Sequence, residues 1–345
     1  MALMVTHADA FHPDEMLAIA LLLKAHHQEP SDLVFVPEEA LDQALQNPTD
    51  LWRVARTRNV ELLGKIKNNP NVYMIDVGAD YDPQRLNFDH HHKAFQETWP
   101  NDCPMSSTGI VWKHLREQGK LQNWGSEALL DKIEEQLIQP VDAHDNGVHD
   151  FAFSEWVAGY NRPKNLFLDD SAHAHATFLK GVQACFDHVN NEIFSWTRRL
   201  EALPILEAAW QDAQARNSPI VILERSSPHH DSASMLLEMS GGQAELMITQ
   251  RHTKPDQIPS WTILTLPQQP HEKFSMKCPM PLEWRGRSHF SVEEGQMVFA
   301  HKNGFMCVFE GSKEQALACA QRVLDFHGKS PFLSSTLPSA RPHKP

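Results

Sequence analysis

Four segments of the chain carry histidine and aspartate at spacings that suit a metal centre. They are His7-x4-His12-x-Asp14, Asp76 directly after the apolar run 72–75, Asp89-His90-His91, and Asp142-x2-Asp145. Mixed imidazole and carboxylate donors suit Mn2+, Fe2+, Co2+ or Zn2+, with Mg2+ admitted where carboxylates dominate. One ion takes three or four protein ligands, so some seven ligands drawn from these nine residues suit two ions roughly 3.5–4 Å apart sharing a bridging carboxylate. Such a pair activates water and stabilises charge on a leaving oxygen, which is the chemistry of phosphoester and phosphoanhydride hydrolysis. Taken singly, most segments have a plainer reading. His7 fits a loop, His12 and Asp14 a helix start favoured by its dipole, Asp89 to His92 a solvated turn, and Asp142 and Asp145 an Asx turn before Gly147. Asp76 resists that treatment, because a carboxylate closing a hydrophobic strand is partly desolvated and needs a cation or several donors.

The elements that must bring these segments together alternate between strand and helix. Residues 3–5 read as a buried strand, and Pro13 with Asp14 and Glu15 opens a helix running to about residue 27. Residues 33–36 and 72–75 read as further strands. Ser106, Ser107 and Thr108 read as the cap of a helix over 109–118, stopped by Gly119, and a helix over 127–139 is expected to end at Pro140. This alternation implies an α/β fold with a mainly parallel sheet and flanking helices over residues 1–169. In open sheets of that kind the crevice lies beyond the carboxyl ends of the strands, so the four segments can converge although they are distant in sequence. Long-helix periodicity over 170–217 implies a helical connection. A smaller α/β domain is expected over 218–329, with strands at 219–223, 245–249 and 261–266 and a helix at 313–327. The Ser- and Pro-rich tail 330–345 reads as disordered.

Composition limits the partners. The 345 residues are globular in composition and carry a net charge of -13. Residues 1–170 hold 27 Asp/Glu against 14 Lys/Arg, while residues 171–345 hold 17 of each. An acidic surface repels phosphate backbones, so gripping of long duplex DNA is excluded as a function class, whereas short or single-stranded phosphate substrates fit if bound cations supply charge. The five cysteines lie far apart without a C-x-x-C pair and imply reduced thiols in a cytoplasmic setting. The longest apolar stretch near the N-terminus, residues 16–23, is too short to span a bilayer, so no membrane partner is expected.

Read together, the motifs resemble those of the Myg-type exonuclease family. The resemblance rests on Thr6 to Glu15, Asp76-Val77-Gly78-x-x-Tyr81-Asp82-Pro83, Phe88-Asp89-His90-His91, Ser106 to Gly109, Val141 to Gly147, Pro281 to Gly286 and Phe299 to Phe305. That family belongs to the DHH phosphoesterase superfamily, with RecJ-like nucleases and manganese-dependent inorganic pyrophosphatases. The resemblance implies a DHH-type catalytic domain and a substrate-clamping second domain, with two divalent ions removing nucleotides from RNA ends. It places His7, His12 and Asp76 on one ion, and Asp14, Asp76, His90 and Asp142 on the other, with Asp76 bridging. Asp145 stands as the alternative to Asp142 or its support. The resemblance makes Asp89 the residue that orients His90, and His91 a catalytic contact to a phosphate oxygen. Arg285 and His301 would clamp substrate, and Ser107 and Thr108, at a helix N-terminus, would hold an anion.

Three departures from the family pattern stand out. Asp9 replaces the usual Gly, the segment over 32–51 is longer than in many relatives, and the glycine pair expected after Phe305 is replaced around Glu310-Gly311. The remaining histidines, among them His173, His175, His229 and His230, read as surface residues. The tryptophans read as packing, with Trp284 beside Arg285 set apart as a candidate base-stacking platform. The expectation is therefore a two-metal phosphodiesterase, Mn2+ favoured over Mg2+, Fe2+ or Co2+. It would act as a 3′-to-5′ exonuclease on RNA or short single-stranded oligonucleotides. The alternatives are hydrolysis of a small phosphorylated molecule, such as a dinucleotide or pyrophosphate, and a noncatalytic metal-bound RNA-binding protein.

Overall fold

In the computed structural model, the described residues are 2–161, 171–251, 257–270, 272 and 274–329. The proposed tail 330–345 lies outside them. Two compact units are present, Met1–Thr197 and a second beginning at Arg198.

The first unit is built on a six-stranded sheet. Its strands are β1 (Leu3–Thr6), β2 (Val34–Val36), β3 (Arg53–Arg56), β4 (Val72–Ile75), β5 (Tyr81–Asp82) and β6 (Asn87–Phe88), in the order β2-β3-β1-β4-β6-β5. All neighbours pair parallel except β5 with β6. Because side chains alternate along a strand, the buried β1 faces two layers. Leu3 and Val5 join a core with Leu41 of α2 (Leu41–Gln46) and with Leu62 and Ile66 of α3 (Val60–Ile66). Thr6 points the other way, donating its hydroxyl to Glu15 of α1 (Pro13–Ala25). Every residue of α1 except Lys24 is buried. That is the mark of a helix covered on all sides, here by β4, α4 (Ser107–Glu117), α6 (Gln139–Asp145) and α7 (Ala152–Ala158). Helices thus cover both sheet faces, as the strand–helix alternation implies.

Pro140 does not end its helix. α5 (Glu127–Ile133) continues through a π-helical turn, Glu134–Ile138, into α6. A proline lacks the N–H for an i−4 bond and its ring crowds that carbonyl. The wider π turn relaxes that conflict and carries the chain on to Asp142 and Asp145.

The expected connector is one helix, α8 (Ser171–Ala215), but the boundary between the units falls inside it rather than at its ends. Its last turns belong to the second unit, where Ala202, Leu206, Trp210 and Ala213 pack with Val221, Met247 and Leu236.

That unit holds β7 (Ile220–Leu223), α9 (Ser232–Met239), β8 (Leu246–Gln250), β9 (Ser260–Thr265), β10 (Ser288–Val292), β11 (Gly295–Ala300), β12 (Met306–Glu310) and α10 (Lys313–Phe326). The sheet order is β10-β11-β12-β9-β8-β7, with β7 and β8 parallel and the other pairs antiparallel. Trp284 is buried in this unit's core beside Met280 and Phe290, so it offers no platform for a base. His229 is likewise buried rather than on the surface, its Nδ1 accepting the Asp231 N–H.

Candidate metal centre

Asp76 follows β4 immediately and adopts φ of 55°, a left-handed conformation that costs a non-glycine residue energy and persists where surroundings over-determine it. Its N–H donates to the Phe88 carbonyl at 3.1 Å, which ties it to the end of β6. The buried carboxylate then divides its two oxygens. Oδ2 lies 3.2 Å from His7 Nε2 and 4.0 Å from His12 Nδ1. Oδ1 lies 3.3 Å from both His90 Nε2 and His91 Nδ1. His90 Nε2 is also 3.3 Å from Asp145 Oδ2. Potential ligand atoms of His12, Asp14 and Asp145 lie within 4.8 Å of one another, as do those of His7, His12 and Asp76 and those of Asp76, His90 and His91.

The positions follow from the elements. His7 comes directly after β1, His12 caps α1 with Asp14 in its first turn, Asp89 to His91 follow β6, and Asp145 is the last residue of α6. The carboxyl-end crevice of the parallel sheet therefore gathers them as expected.

Hydrogen-bond accounting shows that these residues fit metal ions. The Ala8 carbonyl, 2.7 Å from His7 Nδ1, can only accept, so Nδ1 carries the proton and Nε2 presents a lone pair. His7 Nε2, His90 Nε2 and Asp14 Oδ1 are all buried without a hydrogen-bond partner. Charge points the same way. Burial, reinforced by Asp76 and Asp145, raises Asp14 well above the usual carboxylate range, and burial likewise raises Asp145. Glu15 is pushed up to about 7 by burial. Asp76 is the exception: its contacts with His7, His90 and His91 outweigh burial and hold it well below that range. A cluster of buried carboxylates facing orphaned imidazole nitrogens is the donor chemistry a divalent cation satisfies.

Several expected roles are redistributed. Asp142 is buried outside the cluster and fully engaged by protein. Its Oδ2 accepts from Trp99 Nε1 at 2.7 Å, and its Oδ1 from Ser106 Oγ at 2.6 Å and the Gly109 N–H at 3.0 Å. Asp145, three residues on, reaches His90 instead. Asp89 supports His91 rather than His90, accepting from the His91 N–H and lying against its Nδ1, both at 2.9 Å, while its other oxygen accepts the Ala79 N–H. Ser107 and Thr108 are wholly buried and closed to an anion. Ser107 Oγ donates to the Phe88 carbonyl at 3.1 Å and Thr108 Oγ1 to the Asp14 carbonyl at 2.7 Å, so they brace the site from behind. Asp9 stays out of the cluster, its exposed carboxylate 3.1 Å from Arg58 Nε. Its φ of 74° is a conformation that favours glycine.

Arg285 and His301 lie in the second unit. Arg285 Nε donates to the Met280 carbonyl at 2.7 Å and sits against Gly304, where a Cβ would come within 2.7 Å of Nε. His301 accepts the Asn303 N–H at Nδ1 in the same turn.

Two features escaped the sequence reading. Glu15 Oε1 lies 3.3 Å from His7 Nε2 while also accepting the His12 N–H at 2.9 Å. Beside the cluster, a cavity of about 570 Å³ is walled by residues including Arg58, Leu63, Lys67, Met74 and Val77, and shares His7, His12, Asp76 and His91 with the centre. Recognition of β3 as a strand would have placed Arg58 near the carboxyl-end crevice.

Comparison with known proteins gives a family match. The chain matches the family model MYG1_exonuc, described as an uncharacterised protein family (UPF0160), over residues 3–324. The MYG1 exonuclease of Rattus norvegicus is 26% identical over 366 residues, covering 92% of this chain and 84% of the rat protein. That of Homo sapiens is 25% identical over 376 residues, covering 95% and 87%. A MYG1 protein of Dictyostelium discoideum is 27% identical over 352 residues, covering 93% and 95%. Among solved structures, the pGpG-specific phosphodiesterase PggH of Vibrio cholerae aligns over 96% of this chain and 100% of its own, at 13% identity. Its TM-score of 0.28 is too low to carry an argument.

Proposed function

The chain belongs to the MYG1_exonuc family and is a phosphoester hydrolase; from that premise we propose that it uses two divalent ions, Mn2+ foremost, to release nucleotides from the 3′ ends of RNA or short single-stranded oligonucleotides. The observation that carries the two-ion reading is Asp76, whose two buried oxygens face two different sets of ligand atoms. His7 and His12 would hold one ion with Oδ2, and His90, Asp145 and Asp14 the other with Oδ1. Bound there, the ions would supply water activation and stabilise charge on phosphate oxygens.

The protein's own groups then position and polarise. The Ala8 carbonyl fixes the His7 tautomer. Contacts with Asp76 and Asp89 raise the His91 imidazole above its ordinary value, and Asp89 holds the ring in place. The His91 side chain is 61% exposed and is suited to meet a phosphate oxygen as negative charge builds there. Arg285, a planar fork in a glycine turn, is assigned to a substrate phosphate, with His301 beside it. The RNA preference rests on the family resemblance, and five free cysteines support a reducing, cytoplasmic setting. No helix among the described residues is long and apolar enough to cross a membrane.

The test is a digestion ladder on RNA and DNA of several lengths with Mn2+ present. Wild type should shorten RNA from the 3′ end, and Asp76→Ala and His90→Ala should each lose at least about 100-fold in rate. Unchanged rates in both variants would overturn the assigned centre. Turnover confined to two or three nucleotides would replace the exonuclease with a small-molecule phosphodiesterase.

A further inference from the structure

The cavity beside the metal cluster has a construction that the hydrolytic centre does not require. Helix α3 has two working faces. Leu62 and Ile66 enter the core. Val60, Leu63, Gly64 and Lys67, at i, i+3, i+4 and i+7, form a second stripe that lines the cavity. Val60 is 83% exposed and so open to a ligand in the cavity it lines. Gly64 leaves open space, since a Cβ built there meets nothing within 4 Å. Met74 and Val77 also line the cavity, together with His7, His12, Asp76 and His91.

Arg58 lines the same cavity. Its Nε lies 3.1 Å from Asp9 Oδ2 and 3.3 Å from the Ala8 carbonyl, while Nη2 approaches His7 Nδ1 at 3.1 Å. The same His7 nitrogen lies 2.7 Å from the Ala8 carbonyl, so Arg58 and Ala8 meet it together. These contacts hold Arg58 beside His7 and use Nε and Nη2, which leaves Nη1 to meet an anion.

We infer that this cavity is a nucleoside subsite: it seats the base and sugar of one terminal nucleotide against Val60, Leu63, Met74 and Val77 while Arg58 takes an oxygen of its phosphate. Its volume suits a single nucleotide and falls in the usual range for small-molecule sites. Apolar side chains beside the Arg58 fork match a nucleoside monophosphate better than inorganic phosphate or pyrophosphate, which offer nothing to Val60, Leu63, Met74 and Val77. The Asp9 carboxylate competes for Arg58, so phosphate affinity is tempered by that pair. The inference rests on the proposed function and assigns the specificity of that same site.

Calorimetric titration of the Mn2+-supplemented full chain with adenosine 5′-monophosphate and, separately, ribose 5-phosphate tests the site by binding alone. Wild type should bind the nucleotide at least about 10-fold more tightly than the base-free sugar phosphate. Gly64→Leu fills the open space without a backbone conflict, so its Tm should not fall while that preference collapses to about 2-fold or less. Arg58→Ala should weaken both ligands by about 10-fold. Equal affinities in wild type, or an unaltered preference in Gly64→Leu, would overturn the subsite. Absence of oligonucleotide turnover with the preference intact would overturn the exonuclease reading and support the subsite.

Discussion

Asp142 and Asp145 lie one helical turn apart on α6, near enough in direction that spacing alone left either as the ligand. The structure separates them by their partners: three donors close around Asp142, and Asp145 meets His90. Two different failures follow. Asp145→Asn should lower turnover at least about 100-fold without destabilising the fold, because it removes a charge from the proposed ion site. Asp142→Asn should keep the centre but cost about 1–3 kcal/mol, because an amide N–H2 would face the Trp99 N–H; urea unfolding of both variants beside rate measurements checks the pair. Asp142 also makes stability depend on pH. Burial raises its carboxyl from the usual value to about 7 despite the donors from Ser106, Trp99 and Gly109. The folded state therefore holds a proton that the unfolded chain releases near its ordinary, lower pKa. Its contribution is full below that lower value and is lost as pH rises through about 7. The margin by which wild type exceeds Asp142→Asn in unfolding free energy should shrink from about pH 4 to about pH 8; a margin that grows would contradict the assignment. His7, His12, Asp14, Asp76 and His90 were legible because each is a donor placed where an element begins or ends. Arg58 was not, since an arginine two residues past a strand carries no signal until its neighbour across the sheet is known.

At the level of elements, helix α4 is clamped to α6 through one small residue. Gly109 donates its N–H to Asp142, and a Cβ built on it would run into Asp142 Oδ2 and fall 3.1 Å from Trp99 Cζ2. The helix tolerates glycine there because close approach outweighs propensity. Gly109→Ala should destabilise the protein by about 1–3 kcal/mol by overpacking, although alanine is the better helix former. A thermal scan showing a rise in Tm would refute that clamp. The same neighbourhood explains what sequence patterning missed. Pro140 reads as a stop because local rules see only the missing N–H, whereas the π turn that passes it shows itself in three dimensions. β3 escaped because Arg53 and Arg56 flank only Val54 and Ala55, too short a pattern for alternation to register. β10, β11 and β12 escaped for a related reason: their burial alternates irregularly around a bulge between Met297 and Phe299.

For the whole molecule, the acidic excess of the first half gains a physical role in this account. Asp14, Glu15 and Asp76 are buried with Asp145 half-buried beside them, and their mutual repulsion opposes folding unless cations offset it. Metal binding should therefore stabilise the chain. An ion at about 100 times its dissociation constant adds about 2.7 kcal/mol, so Mn2+ should raise the apparent Tm by a few degrees and a chelator should reverse it. Differential scanning with Mn2+ and with a chelator checks this, and a Tm indifferent to both would contradict it. The rest of the -13 stays as surface charge and argues against long duplex substrates. The central claim is that Asp76 bridges two ions, and a Mn2+ titration of the full chain followed by electron paramagnetic resonance tests it most directly. The account predicts two ions bound per wild-type chain with a spin-coupled signal, and loss of that coupling with no more than one ion retained in Asp76→Asn. A single uncoupled ion in wild type, or an unchanged coupled pair in the variant, would contradict it.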